Sequence, residues 1–300
     1  MQSSPRKLSS SSSSSSHKAS NKPLILNTSS ILLYNIPDDL LQIMFKSLTI
    51  KQLIGIYSIN TAFSKKKLVI EMKVVDLSDL IITKKTLDFL DKVLDKSKIK
   101  RIILNKTKFE IKTSEQFSGN NKIFENVEEL QIKDTTIDVK ANYFLKKYLN
   151  IENIKSLKIK RLILDNIKFA SDTDYEDFNY NIEYYQNLEE LIINNFNSVE
   201  DKGGYNNDDI NYFNELIEKI RVLVNLKKLR INHTDITAET DWDENLVFVD
   251  VFLETLSELV NLKYLKLYKN EINEKQLNKI NKGITDRFYK IENKNEWLRK

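Results

Sequence analysis

The sequence predicts an α/β fold in which a short helical module precedes a solenoid whose strands line a concave parallel sheet. Three observations predict it. Seven segments share one apolar pattern of eleven residues. Helical periodicity follows most of them. Ahead of them stands the only proline outside the first 23 residues, directly before a dense apolar run.

The chain has 300 residues, 41% hydrophobic and 30% charged, as in ordinary globular proteins. Its 47 basic and 43 acidic residues leave a net charge of +4, too balanced to indicate nucleic acid. Cysteine is absent, which excludes disulfides, thiolate nucleophiles and cysteine-ligated zinc. The two histidines, His17 and His233, exclude a histidine-rich metal site, and no cofactor is expected.

Residues 1–23, with serine unbroken from Ser9 to Ser16, are low complexity and predicted to be disordered. They lack the apolar core of a secretory signal, and no run approaches the ~20 apolar residues of a membrane span. A cytoplasmic or nuclear location is therefore expected.

Residues 31–71 form the helical module. Pro37 suits the first position of a helix, where its missing N–H has no partner to lose. Asp38 and Asp39 favour the positive end of the helix dipole. Leu40, Leu41, Met44, Phe45 and Leu48 recur at helical spacing. A second helix starts at Thr49, with Gln52 completing a capping box. A third runs from about Phe63 to Leu68.

The repeats occupy residues 72–300, with a carboxy-terminal cap. They read MKVVDLSDLII from Met72, IKRIILNKTKF from Ile99, VEELQIKDTTI from Val127 and IKSLKIKRLIL from Ile154. LEELIINNFNS from Leu188, LKKLRINHTDI from Leu226 and LKYLKLYKNEI from Leu262 follow. Positions 1, 4 and 6 are apolar, and usually 11. Asn126, Asn153, Asn187, Asn225 and Asn261 immediately precede five of them. The fourth has a rival register, IKRLILDNIKF from Ile159. Helices are predicted at TLDFLDKVLDK, VKANYFLKKYL, INYFNELIEKIRVL and LVFVDVFLETLSEL, with EKQLNKINKGI and the tail through Trp297 as the cap. A strand plus a helix at a period of about 20–29 residues is the leucine-rich-repeat signature. One unit cannot bury its own apolar face, so stacking supplies the core.

Residues 34–71 resemble an F-box, and the repeats resemble the substrate domain of F-box/leucine-rich-repeat proteins. The F-box pattern opens with a Leu–Pro pair, an acidic residue and two leucines, here Ile36, Pro37, Asp38 or Asp39, Leu40 and Leu41. Ile43, Phe45, Leu48 and Leu53 continue it, and Phe63 stands in for its closing Trp. Asn60, Thr61 and Ala62 depart from it. The repeat asparagine at position 9 appears only as Asn270; Thr107, Thr135 and Thr234 offer a hydroxyl there, Leu80 and Phe196 nothing.

This resemblance implies the substrate-recognition subunit of an SCF-type ubiquitin ligase, not an enzyme. Pro37, Leu40, Leu41, Ile43, Phe45, Leu48 and Phe63 would dock a Skp-type adaptor, and through it a cullin, while the repeats hold a target protein. Some of these must instead pack the module's own core. The alternative is a protein-binding scaffold with no ligase partner, its amino-terminal helices serving as the solenoid cap.

Positions 3, 5 and 7 should point into the concave face. Arg101, Lys133, Lys228, Arg230, Tyr264, Lys266 and Tyr268 are the target-binding candidates, diluted by Asp76, Glu129 and Glu190. They suit an acidic or phosphorylated segment; as a solvated sheet face they need no ligand. Three stretches read as acidic insertions on one rim: Ser171–Tyr185, Glu200–Asp209 and Thr237–Asn245. Asp172, Asp174, Glu176 and Glu183 match a calcium-loop count, but Asp177 replaces its glycine. A catalytic triad would have to use His233, read as a surface histidine. RNA binding is disfavoured by low net charge and scattered aromatics.

Overall fold

A computed structural model describes residues 35–59, 68–112, 123–149, 158–196, 209–234, 245–270, 272, 274–291 and 295–300. The serine-rich tail, the third module helix with Phe63, and most of the insertions after Phe196 and Thr234 lie outside these residues. Asp38–Lys300 is one compact unit.

The module's first helix, α1, spans Asp38–Lys46, one residue after Pro37. Helix α2 spans Ile50–Ile59. Its capping box forms as predicted: Thr49 N donates to Gln52 Oε1 at 2.9 Å, and Gln52 N to Thr49 Oγ1 at 3.2 Å. Leu41, Phe45, Ile50 and Leu53 are buried. Tyr57 joins the module to the first repeat, its ring 6.3 Å from Phe45 and 5.1 Å from Phe89.

The strands at position 3 onward are β1 (Val74–Asp76), β3 (Arg101–Asn105), β5 (Glu129–Lys133), β7 (Arg161–Asp165), β9 (Glu190–Asn194), β10 (Lys228–Asn232) and β11 (Tyr264–Tyr268). They pair in parallel in that order. Position faces identical position throughout, as where Glu129 sits opposite Arg161. That pairing selects the register from Ile159 for the fourth repeat; Ile154 lies outside the described residues.

Short strands β2 (Ile81–Thr83) and β4 (Lys108–Glu110) form one side ribbon, β6 (Thr136–Ile137) and β8 (Lys168–Phe169) another. Helices α3 (Lys84–Val93), α4 (Val139–Tyr148), α5 (Asp172–Ile182), α6 (Asp209–Ile220), α7 (Asn245–Glu258) and α8 (Glu274–Ile284) alternate with the strands. Of the last two strands, β13 (Glu296–Arg299) pairs antiparallel with β11, and β12 (Phe288–Lys290) pairs antiparallel with β13 at the edge of the nine-stranded sheet. Trp297 fills the end of the core, donating its indole N–H to Asn281 Oδ1 at 3.2 Å.

Helix α5 corrects a prediction. Ser171–Tyr185 is no acidic loop: Ser171 caps the helix, and Tyr175, Phe178 and Ile182 are buried along it. The carboxylates counted as a calcium loop thus lie on one helix and its carboxy-terminal cap. Poor helix formers, Asp and Asn, mask the cap and the apolar stripe.

Two sets of backbone bonds repeat along the stack. At the strand entry, the N–H groups of positions 2 and 3 share the position-2 carbonyl of the preceding repeat; Lys100 and Arg101 reach Lys73 O at 2.8 and 3.0 Å. At the exit, position 8 turns the chain with a positive φ in all seven repeats: Asp79, Lys106, Asp134, Asn166, Asn195, His233 and Lys269, between 44° and 56°. Each of the first six donates its N–H to the position-7 carbonyl of the next repeat at 2.8–3.0 Å. Asn, Asp and His tolerate this region best, and no β-branched residue occupies it.

Position 9 links the turns in two pieces. Thr107 Oγ1 donates to Leu77 O at 3.0 Å, and Asn270 Nδ2 to Ile231 O at 2.8 Å. Between them Ile167 and Phe196 are buried and apolar. Phe196 lies 6.0 Å from Phe169 and 5.7 Å from Phe213, so ring packing takes over there from hydrogen bonds.

Candidate partner-binding face

Positions 4 and 6 of each strand are buried, and positions 3, 5 and 7 are half-exposed or exposed in every repeat except at Ile192. These odd positions form one continuous open face.

In repeats two to five the face matches its own charges. Positions 2 and 3 read Lys–Arg, Glu–Glu, Lys–Arg, Glu–Glu in successive repeats. Identical positions face each other about 4.8 Å apart, so the alternation puts opposite charges side by side. Arg101 Nε lies 3.0 Å from Glu129 Oε1, Arg161 bridges Glu129 and Glu190 at 3.3 and 3.0 Å, and Arg230 reaches Glu190 at 3.2 Å. Arg101 also donates to Gln131 at 2.8 Å. In the position-2 row, Lys100 meets Glu128 at 2.6 Å and Lys227 meets Glu189 at 2.8 Å. The lysine hydrogen bonds hold both carboxyls below the usual carboxylate range, and Lys160 adds its field to each. Lys133 Nζ lies 3.2 Å from Asp165. Arg101 and Lys133, two target-binding candidates, therefore already have carboxylate partners within the protein.

The alternation runs on through Lys227–Lys228 of repeat six, opposite Glu189–Glu190, and breaks at repeat seven, where Lys263–Tyr264 leaves the repeat-six cations no carboxylate on the following strand. Lys228 is exposed and has no ion-pair partner among the described residues. The Arg230 guanidinium lies 5.5 Å from the centre of the Tyr264 ring. Lys266 and Lys269 approach the Tyr268 ring at 5.1 and 5.4 Å, and His233 meets its edge at 5.7 Å. Glu296 on β13 takes a hydrogen bond from Tyr264 at 3.1 Å and an ion pair from Lys266 at 2.9 Å. Burial, then Glu296, pushes the Tyr264 phenol up; the hydrogen bond to Glu296 raises the Lys266 ammonium.

Arg230, Asn232, His233, Lys266 and Tyr268 line a cleft of about 290 Å³ with Asn194, Asn195 and Asp165. Its floor is held by amides: Asn232 Nδ2 donates to Asn194 Oδ1 at 2.7 Å, and Asn195 Nδ2 to Asp165 Oδ1 at 3.1 Å. Asn232 Oδ1 and Arg230 Nε are buried without a hydrogen-bond partner among the described residues. A second cleft, about 420 Å³, lies at the strand exits of repeats two and three. Two of its carboxylates are engaged, Asp138 capping α4 through Lys140 N and Ala141 N at 3.0 and 2.8 Å, and Asp134 accepting from Asn166 at 2.6 Å.

The module's docking candidates separate. Leu41 and Phe45 are 0% and 2% exposed and belong to the core, which removes them from any docking surface. Leu40, Ile43 and Met44 are 49%, 65% and 46% exposed on α1. Pro37 is exposed, Leu48 is half-buried and Phe63 lies outside the described residues.

Sequence reasoning placed the face but missed its division. The signal was the Lys–Arg/Glu–Glu alternation, visible only once the fourth repeat is read from Ile159. Among the described residues no cluster of side chains could hold a metal ion, and no helix is long and apolar enough to cross a membrane.

No protein family matches this chain. No curated protein matches it either. Among solved structures, the crystal structure of an internalin (InlF) from Listeria monocytogenes is similar at 10% identity and a TM-score of 0.25, covering 68% of this chain. The match spans about half of the internalin, 55% of its length. At that distance the solenoid rests on this chain's own strand register and backbone bonds.

Proposed function

We propose that this protein is a protein-binding scaffold of leucine-rich-repeat type, its amino-terminal helices capping the first repeat. The uninterrupted open face carries the reading. From β3 to β13 the strand edges are consumed by pairing and positions 4 and 6 by the core, which leaves odd-position side chains as the surface a partner can read. The Tyr57–Phe89 contact supports the capping role.

The test is selection of random peptides on the immobilised full chain, repeated with Ile163→Lys. Ile163 is half-buried at the centre of the face, position 5 of the fourth repeat, so the charge blocks the face and leaves the core intact. Peptides that bind the natural chain and lose the variant support the scaffold. Peptides indifferent both to Ile163→Lys and to Arg230→Gln, Lys266→Gln, or none at all, overturn it.

A second reading keeps the ligase role: the module docks a Skp-type adaptor, linking the repeats to a cullin. The observation favouring it is the apolar triplet Leu40, Ile43 and Met44, left exposed although Leu41 and Phe45 satisfy the packing of α1. A pull-down with a purified adaptor, comparing the natural chain with Leu40→Asp, Ile43→Asp, tests it. Both sites are exposed, so the variant should melt like the parent. Capture by the parent and not by the variant supports docking; no capture by the parent leaves α1 and α2 as a cap alone.

A further inference from the structure

We propose that the cleft spanning repeats four to seven binds a carboxylate of an acidic peptide segment, with Arg230 and Lys266 as its cationic walls. This rests on the scaffold reading and names the partner's chemistry.

Charge complementarity supplies the first reason. Lys228, Arg230, Lys266 and Lys269 stand at this end of the face, against Glu190 and Glu296. Arg230 and Lys266 are register partners at position 5 of adjacent strands. Their heads flank one gap about 4.8 Å wide at the backbone, a spacing that lets one carboxylate meet both. Glu190 and Glu296 each hold one edge of a cation, which orients it without covering it: side-chain exposure is 36% for Arg230 and 28% for Lys266. Asp165, at the far end of the cleft, is neutralised by Lys133 at 3.2 Å.

The unsatisfied atoms supply the second. Arg230 Nε is a donor and Asn232 Oδ1 an acceptor, both buried and without a hydrogen bond of their own among the described residues, although Glu190 reaches the same guanidinium at 3.2 Å; Arg101 Nε, Arg161 Nε and Asn105 Oδ1 share this state in the matched region. A peptide offers both complements: carboxylate oxygens for the guanidinium and a backbone N–H for the amide oxygen. A bare anion satisfies only the first.

The third is shape. Tyr268, which lines the cleft, is 44% exposed, so a residue flanking the carboxylate has an aromatic surface to cover. A continuous phosphate backbone fits worse, because Glu190 and Glu296 interrupt the cationic row.

Fluorescence anisotropy of the full chain decides it, with three labelled probes: a decapeptide alternating Glu and Tyr, the same peptide with Gln for Glu, and a single-stranded deoxyoligonucleotide. The acidic peptide should bind at least about tenfold tighter than the other two, and weaken with salt. Arg230→Gln, Lys266→Gln should lose about tenfold while remaining folded by circular dichroism, and Arg230→Lys, Lys266→Arg should retain binding within about threefold. Arg101→Gln, in the matched region, should change nothing. Equal binding of acidic and neutral peptides, or an unaffected double variant, overturns the proposal; so does tighter binding of the oligonucleotide. Peptides from the random selection that survive Arg230→Gln, Lys266→Gln but are lost with Ile163→Lys overturn the carboxylate site and leave the scaffold standing. Failure of every peptide overturns both.

Discussion

Repeats two to five and repeats six to seven share one backbone frame and differ in what their side chains do with it. Both pair in exact register, turn through a positive φ at position 8 and bury positions 4 and 6. In the first region Arg101, Glu129, Arg161 and Glu190 satisfy one another across strands. In the second, Arg230 and Lys266 lie over tyrosines with one carboxylate each. A repeat fold thus uses the same odd positions either to lock its stacking order or to meet a partner. Whether the next repeat carries the opposite charge decides which.

The comparison breaks most visibly on charge reversal. Glu129→Lys places a cation between Arg101 and Arg161, and Glu129 is only 20% exposed. Urea unfolding should register a loss of about 2 kcal/mol. Lys228→Glu removes no ion pair, though it faces Glu190 across β9, and should cost no more than about 1 kcal/mol while weakening acidic-peptide binding. Equal losses at the two sites would erase the distinction between the regions.

A smaller effect sharpens it. Lys106 and His233 hold the position-8 turn at φ 51° and 52°. Replacing either with glycine relieves the left-handed strain and should stabilise the fold by about 0.5–1 kcal/mol. Binding of the acidic peptide should change only for His233→Gly, since His233 lines the cleft and Lys106 does not.

The smallest effect is electrostatic. The Lys227 hydrogen bond holds Glu189 below its ordinary value of 4.5, as Lys100 does for Glu128. A depressed folded-state value stabilises the fold above the ordinary carboxylate range, and that contribution is lost as pH falls through the depressed value. Lys227→Met should move the Glu189 titration back up toward 4.5, read by carboxyl-carbon NMR, and leave Glu128 unmoved.

Local patterns were legible where one residue meets its sequence neighbours. The Thr49–Gln52 cap, the helices after the strands and the apolar positions of the repeats could all be read from spacing. Asn126, Asn225 and Asn261 recur just ahead of their repeats, and the structure gives them a role: each donates to the preceding repeat, Asn225 and Asn261 at 2.8 Å. Helix α5 was hidden because its propensities favour turns, and burial of Tyr175, Phe178 and Ile182 overrides them. The docking set on α1 was not separable either: Leu40 and Leu41 are the same residue type, and packing sends one outward and the other into the core.

By itself the sequence determined a repeating strand–helix chain, because period and polarity are properties of consecutive residues. The tertiary structure decided the fourth register, since pairing Glu129 with Arg161 joins residues 32 apart. It decided too that Asp, Lys, Asn and His alike take a positive φ at position 8, because the next repeat's position-7 carbonyl waits there for the N–H. And it decided which cations remain for a partner, because a charge is neutralised by what stacking brings beside it.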